Sequence, residues 1–204
     1  FISGPGRPVV PVALMESPDE TLQMPPRCIP VLQMGTGHGP LVPCGLVSGV
    51  AGAMAADCVT WAARAALQGR IAALVTAPLH KEALAAAGVG FPGHTELLQS
   101  EAAAHLGKAV CDVPVRMMLA NDELRTVLVS IHMSLREAIG AVTFENVLQT
   151  LRITHASVGA ALHRAPRIGV AGLNPHAGEN GLFGREEIDI IGPAIAAARS
   201  QGLD

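Results

Sequence analysis

The chain reads as an α/β protein, a mixed sheet with helices on both faces. Three observations predict this. Helical apolar spacing closed by glycines alternates with short continuous apolar runs. Residues 71–75, 127–131 and 168–172 are such runs, and each feeds a loop that bears a histidine. The run that ends at residue 131 meets one further run, residues 113–119, at Asn121-Asp122, which adds an antiparallel element.

The elements follow in order. Residues 1–45 are rich in Pro and Gly and read as an extended, loop-rich segment. Residues 9–14 and 28–33 could be short strands there, confined by prolines to sheet edges, and His38 between two glycines reads as a surface loop. Residues 48–68 carry Ala, Val, Met and Leu at helical spacing, with Gly69 as the stop. Residues 71–75 are continuously apolar, as in a parallel strand covered on both faces. Residues 81–87 are a short helix stopped by Gly88, and residues 95–106 a helix stopped by Gly107. Residues 113–119 and 125–131 are the two strands of the hairpin. Ser134-Leu135-Arg136-Glu137 is a capping box that opens a short helical turn to Ala141. A longer helix spans residues 144–163, residues 167–171 form a strand, and a last helix spans residues 185–201 with a bend at Pro193. No internal repeat is present, and residues 46–204 hold all the motifs discussed below.

Composition narrows the function classes. The chain has 204 residues, of which 50% are hydrophobic and 15% charged, so a core can form and disorder is excluded. Aromatic residues are 2% and the net charge is −3 without a basic cluster, so neither stacking platforms nor a phosphate-backbone footprint for nucleic acid exists. No apolar run reaches the length of a membrane span, and no signal peptide is visible, so the expected location is the cytoplasm. Cys28, Cys44, Cys58 and Cys111 form no C-x-x-C pair and read as reduced, buried thiols. No glycine fingerprint of a Rossmann site, no P-loop and no Gly-x-Ser-x-Gly elbow occurs.

The chemistry-bearing residues cluster after the apolar runs, where open α/β sheets place ligands. His80 and Lys81 start a helix, and Lys81 could contact a substrate carboxylate or relay protons; the alternative is a solvated surface lysine. His94 and Thr95 open the next helix behind Gly93, where free N–H groups and the dipole suit a phosphate; Thr95 could also be a plain N-cap. His132 and His176 follow buried runs and are candidate ligands for a divalent metal, or else hydrogen-bonded loop histidines. His105, His155 and His163 lie within helices and read as surface or core histidines.

Four segments carry a resemblance. They are Thr76-Ala77-Pro78-Leu79-His80-Lys81, Phe91-Pro92-Gly93-His94-Thr95-Glu96, His132-Met133-Ser134-Leu135-Arg136, and Gly172 to Glu179 with Gly184 to Asp189. In this order and spacing the chain resembles the 4-hydroxythreonine-4-phosphate dehydrogenase family. The resemblance implies a fold like the isocitrate and isopropylmalate dehydrogenases. It implies metal-dependent oxidation and decarboxylation of 4-phosphohydroxy-L-threonine with NAD or NADP, on the route to pyridoxal phosphate. It implies a homodimer with a divalent metal (Zn, Mg or Co) held by three histidines at the interface. Carried over residue by residue, His132 and His176 are two of the metal ligands, and His94 and Thr95 bind the small phosphorylated substrate. Both ends of the family's enzyme, including the segment with the third metal histidine, are expected to lie outside these 204 residues.

Other readings stay open at this point. Relatives of the same type act on threonate or erythronate phosphates. An acyl transferase of related fold would not need the metal-type histidines, and a non-catalytic fragment would merely fold or dimerise.

Overall fold

The computed structural model describes residues 10–35 and 42–204. The loop expected at His38 and the strand start at Val9 lie outside the described residues. The chain divides into two compact units, Phe1–Pro114 and Val115–Asp204, taken in turn below.

In the first unit the proline-rich segment does form its two short strands. Strand β1 (Val12–Met15) pairs in parallel with β2 (Ile29–Leu32), in the register Val12 with Ile29 through Met15 with Leu32. A two-stranded ladder has only edges, so Pro30 within β2 breaks no ladder hydrogen bond on its outer side. A 3₁₀ turn, Pro18–Gln23, joins them; the Ser17 hydroxyl caps it by accepting from the Asp19 amide.

Helix α1 (Gly49–Leu67) starts where the Ser48 hydroxyl accepts from the Ala51 amide, and the chain leaves it through Gly69 at φ 71°. Helices α2 (Lys81–Ala86) and α3 (His94–Leu106) follow, and α1 packs against both. Their contact is a cluster of Ala56, Val59, Leu84 and Leu97, with Leu84 only 1% exposed. Glycines let the α1 and α2 backbones touch: a Cβ at Gly49 would sit 2.7 Å from the Ala86 carbonyl oxygen, and one at Gly52 would collide with the Ala83 carbonyl. Arg64 on α1 and Glu101 on α3 pair at 2.7 Å, but the arginine is largely exposed, so the pair adds little.

The strand expected at residues 71–75 is not formed. The segment opens on a bend at Ile71 and Ala72 and joins no ladder, and Val75 is 93% exposed rather than covered on both faces. A strand exists through its partners, and the strands of this unit pair only with each other.

In the second unit β3 (Met118–Ala120) and β4 (Arg125–Val127) form the expected antiparallel hairpin. The Asn121 side-chain oxygen accepts from the amides of Glu123 and Leu124, at 2.9 and 2.6 Å, and so fixes the turn. The strands are shorter than the seven-residue runs predicted, because beyond Met118–Val127 a single bond, from the Leu128 amide to the Met117 carbonyl, extends the pairing. Helix α4 (Leu135–Gly140) opens on the predicted capping box, with Ser134 and Glu137 each satisfying the other's backbone amide. Helix α5 (Phe144–Leu162) is capped by the Thr143 hydroxyl and ends at His163 in the left-handed region.

The last predicted helix is two pieces. Glu187–Ile191 winds as a π-type turn and α6 spans Gly192–Ser200. Pro193 has no N–H to give and its ring crowds the carbonyl four residues back, so it occupies the first turn of α6 and the wider winding absorbs the mismatch before it. Helices α5 and α6 pack through Val147, Leu148, Leu151, Ala194 and Ala198, with Ala194 wholly buried. Residues 167–171 do not form the predicted strand; they run extended, with the Ile168 amide donating to the Asp204 carbonyl at 2.9 Å.

The four cysteines are free, as expected, but only Cys28 is half-buried; Cys44, Cys58 and Cys111 are exposed rather than buried. No helix among the described residues is long and apolar enough to cross a membrane.

Candidate active site

In the first unit, two loops meet the α1–α2–α3 cluster. Leu79, just before His80, and Phe91, which opens the Phe-Pro-Gly-His segment, both pack against it. The apolar residue of each motif is thus an anchor, and the polar residues after it begin a helix. Lys81 is the first residue of α2, exposed, with no ion pair or hydrogen bond to a described residue.

His94 is the first residue of α3 and Thr95 the second. Gly93 is the N-cap and makes no side-chain bond, so Thr95 is not the plain cap that was the alternative. The first amides of α3 therefore lack a capping side chain, and the helix dipole favours negative charge at that end. His94 adds a second feature: its Nε2 is buried and has no hydrogen-bond partner among the described residues. Leaving such a group unmatched costs about 1–3 kcal/mol, which makes it a strong place to look for a ligand.

In the second unit, His132 and His176 are both exposed, and neither ring bonds to a described residue. Both stand in the left-handed region, at φ 55° and 52°. For His163 the same conformation is explained by its place at the end of α5. For His132 and His176 no helix end accounts for it, and such outliers concentrate at functional sites.

His176 sits in a run that is left-handed throughout. His176, Ala177, Gly178, Glu179 and Asn180 all have φ between 43° and 79°. Outside glycine, each left-handed residue costs roughly 1–2 kcal/mol, so the turn needs external support. Glu187 supplies it. One of its carboxylate oxygens accepts from the Leu173 and Asn174 amides, each at 2.7 Å, and the other from the Asn174 side-chain amide at 2.9 Å. Glu186 accepts from the same Asn174 nitrogen at 2.7 Å. These donors, the Asn174 side chain foremost, hold the Glu187 carboxyl down at about 2. Gly178 is required where it stands, since it is left-handed and a Cβ there would lie 2.7 Å from the Gly184 carbonyl oxygen. The Phe183 ring lies 6.2 Å from that of His176, tilted by 42°.

Sequence reading put His132 and His176 among the candidates and assigned no role to Asn174, Glu186 or Glu187. The signal available was Gly184-Arg185-Glu186-Glu187, which already formed part of the resemblance. Among the described residues no three His, Cys, Asp or Glu side chains converge as a metal cluster. The imidazoles of His132 and His176 are of the right kind for a divalent metal, but they do not by themselves complete a site.

The family described as Pyridoxal phosphate biosynthetic protein PdxA matches residues 9–204. The 4-hydroxythreonine-4-phosphate dehydrogenase of Beijerinckia indica is 54% identical over 160 residues, which is 78% of this chain and 45% of the relative. A D-threonate 4-phosphate dehydrogenase of Pectobacterium atrosepticum is 39% identical over 160 residues, 78% of this chain and 47% of the relative. The crystal structure of the 4-hydroxythreonine-4-phosphate dehydrogenase from Klebsiella pneumoniae superposes with a TM-score of 0.83 at 36% identity, over 97% of this chain and 57% of that one. The chain spans about half the length of the curated relatives it matches. With a match that takes in nearly every residue, the chain belongs to the family of the pyridoxal phosphate biosynthetic protein PdxA.

Proposed function

We propose that the chain supplies substrate- and metal-binding residues of a 4-hydroxythreonine-4-phosphate dehydrogenase, which oxidises and decarboxylates 4-phosphohydroxy-L-threonine with NAD or NADP. The observation that carries this reading is that the family match, over residues 9–204, takes in all four motif segments. The proposed fold is isocitrate/isopropylmalate dehydrogenase-like. The proposed setting is a cytoplasmic homodimer with the metal at its interface.

In this reading His94 and Thr95 receive the phosphorylated substrate at the start of α3. The helix dipole draws the anion, and the buried Nε2 of His94 gains the partner it lacks. Lys81, exposed at the start of α2, offers a cation to the substrate carboxylate or relays a proton. His132 and His176 would hold a divalent metal (Zn, Mg or Co) as neutral imidazoles, with further ligation from outside the described residues. When bound, the metal would favour ionisation of the substrate hydroxyl and the nicotinamide would take the hydride. The left-handed turn sets the backbone at His176.

The relative that acts on D-threonate 4-phosphate favours a second reading, the same chemistry on that substrate. A chimera separates them: residues 9–204 replace the homologous part of the Beijerinckia relative, and NADH formation is measured with each substrate. We expect the higher kcat/KM with 4-phosphohydroxy-L-threonine. His94→Ala in the chimera should raise KM by about tenfold or more, as loss of a bond to a charged group does, while leaving Tm little changed. A higher kcat/KM with D-threonate 4-phosphate selects the second reading, and no turnover with either rejects both.

A further inference from the structure

We propose that Glu187 is a positioning residue, whose carboxylate clamps the left-handed turn and so sets the orientation of His176. The proposal rests on the reading of His176 as a ligand only for its consequence; the clamp itself is a matter of geometry. Backbone bonds of the turn include the Ala177 amide to the Asn174 carbonyl, the Leu182 amide to the Glu179 and Gly178 carbonyls, and the Phe183 amide to the Gly178 carbonyl. All of them lie within or just after the turn, so none ties it to the rest of the unit. Glu187 does. It begins the π-type turn that runs through buried Ile191 into α6, whose Ala194 is seated against α5. From that base its two oxygens reach the strand of chain entering the turn, at Leu173 and Asn174. They also lie against the turn's middle, where a Cβ on Gly178 would come within 2.9 Å of one oxygen and a Cβ on Gly172 within 3.2 Å of the other.

The chemistry of the contact is selective. All the donors are N–H groups, so the residue must accept at both ends. A glutamine keeps the length and one accepting oxygen, but its NH₂ would face the Asn174 NH₂, donor against donor. An aspartate keeps the charge and is one methylene short. Neither should substitute fully, and alanine not at all.

The test uses the 204-residue chain and hydrogen–deuterium exchange, with zinc alone as the ligand probe. In Glu187→Gln the Leu173 and Asn174 amides should exchange at least tenfold faster than in the unaltered chain, and faster still in Glu187→Ala. Amides of α5 should stay within twofold. Zinc titration followed on the His176 ring resonance should show the ring's response weakened about tenfold in Glu187→Gln, the ordinary scale for loss of an outer partner of a metal ligand. Unchanged exchange at Leu173 and Asn174 in Glu187→Ala overturns the proposal. So does a loss of protection spread evenly through α5 and α6 in both variants, which would make Glu187 a general stabiliser. The exchange result decides the clamp by itself.

Discussion

His176 stands at φ 52° and ψ 31°, and its neighbours to Asn180 share that conformation. A backbone of this kind persists only when its surroundings over-determine it. The Glu187 carboxylate is the group that does so, and its low pKa gives the turn a pH dependence. The carboxyl falls from 4.5 to about 2 on folding, so the charged form is the one bound. Its stabilising effect is complete above about pH 4.5 and is lost as pH falls through about 2. We therefore expect protection of the Leu173 and Asn174 amides to be flat from pH 7 to 5 and to collapse between pH 4 and 2, measured by exchange corrected for intrinsic rates. Protection that fades between pH 7 and 5 would point to a different titrating group. His132 and His176 stand out in the sequence because each follows an apolar run, and His94 because it opens a helix behind Gly93. Glu187 does not, since its partners at Leu173 and Asn174 are 14 and 13 residues away and meet it only once the turn has formed.

At the scale of elements, the α1–α2 contact gives the clearest stability prediction. Gly52→Ala improves helix propensity by about 1 kcal/mol. The added Cβ meets the Ala83 backbone carbonyl, which cannot swing aside as a flexible side chain could. Overpacking costs about 1–3 kcal/mol, and against backbone the upper part of that range applies, so the net effect is a loss. A lowered Tm of the purified variant is the expected result, and a raised one would show that α2 shifts freely. In α4, Ser134→Ala should cost about 0.5–2 kcal/mol of local helix stability by removing the hydroxyl that accepts from Glu137, seen as faster amide exchange confined to that helix. The helices were readable because their signals are local: Ser48, Ser134 and Thr143 cap starts, and Gly69, Gly88 and Gly107 mark exits. The strands at residues 71–75 and 167–171 were not, because an apolar run specifies burial and leaves the pairing partner to the rest of the fold. The break at Pro193 was legible, while the π-type winding before it depends on how α6 seats against α5.

At the scale of the whole molecule, the chain covers about half of its relatives' length and leaves large apolar side chains in solvent. Val75 is 93% exposed, Leu135 85% and Leu182 73%. Clustered apolar exposure drives association, so we expect the purified chain to self-associate, with a mass that rises with concentration in sedimentation velocity. A concentration-independent monomer would show that these side chains are too scattered to matter. On the proposed reading the metal takes a further ligand from outside the described residues. The chain alone should therefore turn over far below the roughly 1 per second of an ordinary enzyme. The most direct test is NADH production from 4-phosphohydroxy-L-threonine by the Beijerinckia chimera, with and without His132→Ala and His176→Ala. The account predicts turnover of about 1 per second or more in the chimera and a loss of at least a hundredfold in each variant. Undiminished turnover in both variants would contradict it.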